Sequence, residues 1–178
     1  YVVAIGAITN VASAILIEPE IIKKIVVVWL GGQPHSLHFA TEFNLMQDPR
    51  ASQLMFDCGV PLVQIPCYGG ASHLLTTVPE LEANLKGRNP ISDFLFERFC
   101  EYSDDHFAWG KEIWDISGIA YLLDESWTPT VLVPSPILTD ELTWKAAPNR
   151  HMMRVAWFVR RNPIFRDLFL RLQNFALQ

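Results

Sequence analysis

Ile25-Val26-Val27-Val28-Trp29-Leu30-Gly31-Gly32 is the stretch on which the fold turns. Its apolar run does not alternate, and it stops at a glycine pair. A strand with one wet face alternates, whereas a continuous run suits a strand of a parallel sheet covered on both faces. The run is too short to cross a bilayer, which takes about 20 residues. Working outward, Tyr1-Val2-Val3-Ala4-Ile5 has the same character and ends in a turn at Gly6. On the other side, Val60-Pro61-Leu62-Val63-Gln64-Ile65 reads as a third strand, weakened only slightly by its early proline. Between them, Thr9 or Asn10 can cap a helix through Leu16, interrupted near Pro19 and resumed towards Lys24. Asp48-Pro49 opens another helix, with Ala51, Leu54, Met55 and Cys58 at helical spacing and Gly59 placed to end it. This alternation predicts an α/β fold: a mainly parallel open sheet flanked by helices.

Beyond Pro66 the chain reads as more helical. Pro79 to Lys86, Ile91 to Tyr102 and Asp115 to Leu123 are helix candidates, the second with Ile91, Leu95, Phe99 and Tyr102 on its apolar side. Val131 to Pro134, Leu142 to Trp144 and Met153 to Val159 are expected as short antiparallel strands. Asn162-Pro163 is expected to cap a last helix through Leu172. The 178 residues suit a single domain spanning 1–178. The chain opens on Tyr1, directly inside a strand-like run, so the expectation is a later part of a longer polypeptide, incomplete at the N-terminus.

Composition excludes several classes. The formal net charge is −5, and Lys23-Lys24 and Arg160-Arg161 are only pairs, so no nucleic-acid footprint is expected. Neither a membrane partner nor a basic-then-apolar leader is read from the sequence. The three cysteines, Cys58, Cys67 and Cys100, fall outside any metal-ligand spacing. They read as reduced thiols of a cytoplasmic protein.

Three segments could carry chemistry. In open parallel sheets ligands bind beyond the carboxyl ends of the strands. There, Ala4 to Asn10 offers backbone carbonyls to a hard cation, while Asn10 either orients the loop or simply caps a helix. Glu42 and Asn44 follow the glycine pair. They point the same way if the segment is extended, and they offer acceptors and donors to a hydroxyl-rich ligand. Thr41 to Pro49 also reads as a polar loop before an ordinary helix. Trp114-Asp115 opens a third candidate, where Asp can be an N-cap and Trp a core residue.

Joined in this order, these segments resemble the nucleoside hydrolase family, the calcium-dependent inosine-uridine-preferring N-ribohydrolases. The resemblance is carried by Ile5-Gly6-Ala7-Ile8-Thr9-Asn10-Val11-Ala12, Gly31-Gly32, Glu42-Phe43-Asn44 with Asp48-Pro49, and Asp115 through Ile119-Ala120-Tyr121-Leu122-Leu123. The tail from Asn149-Arg150-His151 to Phe165-Arg166-Asp167-Leu168-Phe169 looks like a subgroup of it. The resemblance implies Asp115 as a carboxylate ligand of a calcium ion and Ile5 as the donor of a backbone carbonyl to it. It implies Glu42 and Asn44 on the ribose hydroxyls, Leu30 lining the sugar pocket and Asn10 holding the strand-end loop. Family members are commonly homo-oligomers, which is the expectation here.

Two departures bear on specificity. Many members have histidine where this chain has Trp114, which has no titratable proton to give a leaving base. An indole can instead stack on a purine, as in the purine-preferring branch. The family usually has asparagine where Ser36 stands, so the ribose 5′ end would meet Ser36, His35 or His38, the histidines also reading as solvated loop residues. His106, Trp109 and Tyr102 are candidates for base contacts, Trp109 reading equally as a core residue. The family's N-terminal run of aspartates is not in these residues, so the chain by itself is expected to lack activity. The implied reaction is hydrolysis of the N-glycosidic bond of ribonucleosides, purines preferred, to base and ribose. The alternatives are a pyrimidine or other ribosyl-compound hydrolase of the same fold, and a non-catalytic ribosyl-binding protein.

Overall fold

The computed structural model of the protein describes residues 1–175. Val27–Leu30 is buried at every position, inside a five-stranded sheet. Val2–Ala4 and Leu62–Ile65 flank it, both parallel to it, with Val27 opposite Val2 on one side and Leu62 on the other. Leu62–Ile65 is buried throughout as well. Its one polar member, Gln64, is fully buried but satisfied: Nε2 donates to the Gly31 carbonyl at 2.9 Å and Oε1 pairs with His35 Nε2 at 2.8 Å. Leaving such an amide unpaired would cost about 1–3 kcal/mol.

Two later strands complete the sheet. Met152–Ala156 adds parallel to Leu62–Ile65, and Thr130–Pro134 runs antiparallel to Met152–Ala156 along the far edge. The late strands are therefore antiparallel only to each other, because the first of these extends the parallel set. Leu142 to Trp144 is not one strand. Leu142 sits at φ +55° in the turn that Thr139 and Thr143 close, and only Trp144–Lys145 pairs, with Ile137–Leu138.

Helix starts follow side-chain chemistry unevenly. Asp48 caps Pro49–Asp57 by accepting the Ala51 N–H at 3.0 Å, and Gly59 follows its end at φ +80°. Thr9–Ile17 has no side-chain cap, which corrects the expectation for Thr9 and Asn10. The Thr9 hydroxyl is spent on Asp48 Oδ2 at 2.6 Å, and Asn10 is exposed in the first turn. Arg161–Gln173 likewise starts uncapped, with Asn162 already inside it.

By internal contacts the chain forms two compact units, Tyr1–Ser72 with Trp114–Val159, and His73–Ile113 with Arg160–Gln178. The first holds the sheet and a core of Ile8, Ile15, Val27, Trp29, Leu45, Met55 and Phe56. Trp29 is fully buried there and donates from Nε1 to the Gly6 carbonyl at 3.0 Å. The second pairs Leu75–Thr76 with Lys111–Glu112 and carries helices Val78–Asn84, Pro90–Cys100 and Arg161–Gln173. Asn89 caps Pro90–Cys100 and ties it to the last helix through the Leu172 carbonyl at 2.6 Å. Arg161 pairs with Glu80 in the same unit.

Candidate functional site

Three adjacent parallel strands deliver their carboxyl ends to one place: Ile5 follows the first, Leu30 ends the second and Cys67 lies just past the third. The chain must turn sharply there. A Cβ at Gly31 would sit 2.4 Å from the Trp29 ring, and Gly32 adopts φ +72° with Leu45 Cδ1 only 2.9 Å from where a Cβ would be. No other residue type fits either position without displacing the core.

Glu42 grips this turn. It is the N-cap of the short helix Phe43–Met46, and its Oε2 accepts the N–H groups of Gly32 at 2.9 Å and Leu45 at 3.1 Å. Asn44, 8% exposed, donates from Nδ2 to the carbonyl of Leu30 at 2.9 Å and to that of Ile5 at 3.4 Å. The two residues do not meet because the segment is extended. Glu42 is extended, but Asn44 lies on a helical turn, and the shared strand ends bring them together. With both amide hydrogens spent on backbone, Asn44 offers a ligand an acceptor, as does the Glu42 carboxylate.

Glu42 and Asn44 share a cavity of about 520 Å³ with Ile5, Leu30, Trp114 and Asp115. That volume is within the usual range for small-molecule sites, roughly 300–1,000 Å³. Asp115 occupies the N-cap position of helix Ile116–Leu123, yet its side chain makes no capping bond and is exposed. Its charge is thus unspent. Trp114 beside it is half-buried, and exposed Phe43 and Tyr68 complete an aromatic rim.

Other residues named from sequence fall elsewhere. Ser36 is exposed and is not among the residues lining this cavity. His35 is not a solvated loop residue: it packs 4.8 Å from the Trp144 ring and bonds Gln64, and burial holds its imidazole below the usual range against that bond. His106 belongs to the second unit, where a ring nitrogen bonds the Cys100 carbonyl at 2.9 Å and the ring lies 5.6 Å from Trp109.

Sequence reasoning missed Gln33, Thr41, Cys67 and Tyr68. Gln33, 4% exposed, clamps two loops, donating to the Thr41 carbonyl at 3.3 Å and accepting the Tyr68 N–H at 3.2 Å. The strand-end rule that picked out the Ala4 to Asn10 segment and the Gly31-Gly32 turn would have found Cys67 and Tyr68 had it been applied to the third strand.

Comparison with known proteins bears on this geometry. A family model described as inosine-uridine preferring nucleoside hydrolase matches residues 1–161. The chain is 26% identical over 138 residues to the probable uridine nucleosidase 2 of Arabidopsis thaliana, covering 75% of this chain and 41% of that protein. It is 29% identical over 126 residues to the non-specific ribonucleoside hydrolase RihC of Salmonella schwarzengrund, covering 68% and 40%. Among solved structures, the inosine-uridine preferring nucleoside hydrolase from Bacillus anthracis superposes with a TM-score of 0.76 at 19% identity, over 96% of this chain and 59% of that one. The purine-preferring ribonucleoside hydrolase from Gardnerella vaginalis gives 0.76 at 20% identity, over 96% and 60%. The chain thus spans about half the length of the curated relatives it matches.

Proposed function

We propose that this chain, which belongs to the inosine-uridine preferring nucleoside hydrolase family, supplies the ribosyl and leaving-group walls of a site that hydrolyses the N-glycosidic bond of ribonucleosides. The observation that carries the reading is the single cavity shared by Glu42, Asn44, Trp114 and Asp115 at the carboxyl ends of parallel strands. Glu42, Asn44 and Asp115 all face the ligand as acceptors, so the ligand must bring donors, as a ribose does with its hydroxyls. Breaking the bond to the base builds positive charge on the sugar. Fixed acceptors around that charge stabilise it more than they stabilise the neutral ground state. Glu42 is suited to this because backbone N–H groups already hold its carboxylate in place.

Trp114 gives the leaving base a stacking face, worth roughly 0.5–1.5 kcal/mol beyond area burial. That favours purines, the larger ring systems. The relatives' names span uridine, purine and non-specific preferences, so a substrate panel decides this part.

Calcium is the cation the family resemblance brings with it, and it takes about 6–8 oxygen ligands. Asp115 and the Ile5 carbonyl have the right chemistry but are too few, and the Ile5 oxygen is shared with Asn44. Among the described residues no group of three or more His, Cys, Asp or Glu side chains could hold a metal ion. These residues alone do not fit the ion, and no step is assigned to it. Asp115 is proposed as one ligand, Ile5 as a second. Exposed Val131, Leu132 and Trp157 on and beside the outermost strands support a homo-oligomer, and three free thiols support a reducing, cytoplasmic setting. Among the described residues no helix is long and apolar enough to cross a membrane.

The test is release of free base from inosine, adenosine, uridine and cytidine, with calcium present, by the protein at its natural length. Turnover is expected, with Trp114→Ala hurting purine nucleosides far more than an activated aryl riboside. Equal losses remove stacking from the account, and no turnover of any nucleoside overturns the proposal.

A further inference from the structure

Neither His35 nor Gln64 lines the cavity that holds Glu42, yet an unbroken line of hydrogen bonds joins them to its carboxylate. His35 Nε2 meets Gln64 Oε1 at 2.8 Å, Gln64 Nε2 donates to the Gly31 carbonyl at 2.9 Å, and the Gly32 N–H donates to Glu42 Oε2 at 2.9 Å. The Gly31 carbonyl and the Gly32 N–H belong to one peptide group. That group is planar and trans, so its two polar bonds point in opposite directions and the line passes straight through it.

The polarity of the line is fixed. A backbone carbonyl only accepts, so the Gln64 amide turns its nitrogen to Gly31 and its oxygen to His35. An amide oxygen only accepts, so His35 donates from Nε2. Burial holds the imidazole below the usual range, so near neutrality it carries one proton, and that proton sits on Nε2. Every donor in the line therefore points towards Glu42. Bonds aligned in this way polarise one another, each strengthening the next by roughly 10–30%. Packing holds the far end still: Gln64 is fully buried, and the His35 ring lies 4.8 Å from the Trp144 ring and 6.5 Å from that of Phe56.

We propose that His35 is a positioning residue for Glu42: through Gln64 and the Gly31–Gly32 peptide it locks that peptide's N–H onto the carboxylate and keeps Glu42 turned towards ligand hydroxyls. This rests on the reading of Glu42 as a hydroxyl acceptor and deepens it. A peptide between two glycines is free to rotate, and a flipped plane would set a carbonyl, not an N–H, against the carboxylate. Gln64 opposes the flip by holding the carbonyl from behind, and His35 holds Gln64. His35→Phe leaves the Gln64 oxygen unpaired and its amide free to turn over, whereas His35→Gln keeps an N–H donor.

Three readouts test the proposal. The first needs only wild-type protein: the nitrogen NMR signals of the imidazole near neutral pH, with His35 expected to carry its proton on Nε2. An Nε2 without a proton overturns the proposal. The second is the Gly32 amide proton signal, expected to move upfield in His35→Phe and to return in His35→Gln. The Leu45 amide, which bonds the same Glu42 oxygen from outside the line, is expected to move far less. A Gly32 signal that stays in place, or a Leu45 signal that moves as far, overturns the proposal. The third is the calorimetric affinity of the protein at its natural length for inosine, 2′-deoxyinosine and 3′-deoxyinosine. The ribo-to-deoxy ratio is expected to shrink several-fold in His35→Phe and to recover in His35→Gln. Equal loss for ribo and deoxy forms is what packing damage gives, and it overturns the proposal. If wild type binds no nucleoside, the proposed function fails, and the first two readouts still decide the role of His35.

Discussion

The two walls of the cavity are built on opposite principles. On the Glu42–Asn44 wall nearly every polar group is already committed: Glu42 to Gly32 and Leu45, Asn44 to Leu30 and Ile5, Gln33 to Thr41 and Tyr68. On the Trp114–Asp115 wall the carboxylate stands at a helix start, exposed and without a capping bond. The first wall has spent its bonding capacity on shape, and the second has kept its charge for a ligand. Substitutions should therefore cost stability as well as function on the first wall, and function with little stability on the second.

The largest effect belongs to the turn that anchors the first wall. Gly31→Ala drives a methyl into the buried Trp29 ring, and a loss of about 3 kcal/mol is expected from such overpacking. Thermal melts would show it. A variant as stable as wild type would mean that the turn is not fixed by that contact.

Next comes Asn44→Leu, which strands the buried carbonyl of Leu30 and removes the donor shared with that of Ile5. The expected cost is about 1–3 kcal/mol in denaturant unfolding. On the opposite wall Asp115→Asn should leave stability within about 0.5 kcal/mol, as exposed substitutions do. In the protein at its natural length, the calcium affinity of this variant, followed by titration, should fall clearly. Equal stability losses in Asn44→Leu and Asp115→Asn would erase the distinction between the walls.

The smallest effect concerns pH. Burial lowers the folded-state pKa of His35, with the Gln64 bond opposing. Below about pH 6.5, the ordinary histidine value, the unfolded chain takes up a proton that the folded one resists. Stability is thus fully present above that value and is lost as pH falls through the folded pKa. The melting temperature should drop from neutral to mildly acidic pH, and less steeply in His35→Gln, since burial of His151 acts in the same direction and remains. An unaltered slope in that variant would remove His35 from the account.

Much of this was legible in the sequence, for physical reasons that differ by element. Unbroken apolar runs gave away the first three parallel strands, because burial on both faces leaves no room for alternation; Met152–Ala156, which carries Arg154 and alternates in burial, was expected as antiparallel. Asp48-Pro49 declared its helix because capping is a local bond. Thr9 misled for the converse reason: a capping side chain can be claimed by a distant partner, as Asp48 claims Thr9. Asn162 misled because the helix already starts at Arg161. The positions of Ile5, Leu30, Glu42, Asn44, Trp114 and Asp115 around one cavity followed from strand ends and the family pattern. Gln33 did not, because one of the two loops it clamps, at Tyr68, is far away in the chain, whereas Cys67 lay within reach of the strand-end rule at the third strand. His35 was misread because its partner, Gln64, lies on another strand.

The central claim is that both walls act on one ligand. It is tested most directly by titrating inosine into isotopically labelled protein and following amide signals from Gly32, Asn44 and Asp115 with the Trp114 indole signal. The account predicts that all four move together along one saturation curve. Movement on one wall alone, or two curves with separate midpoints, would contradict it.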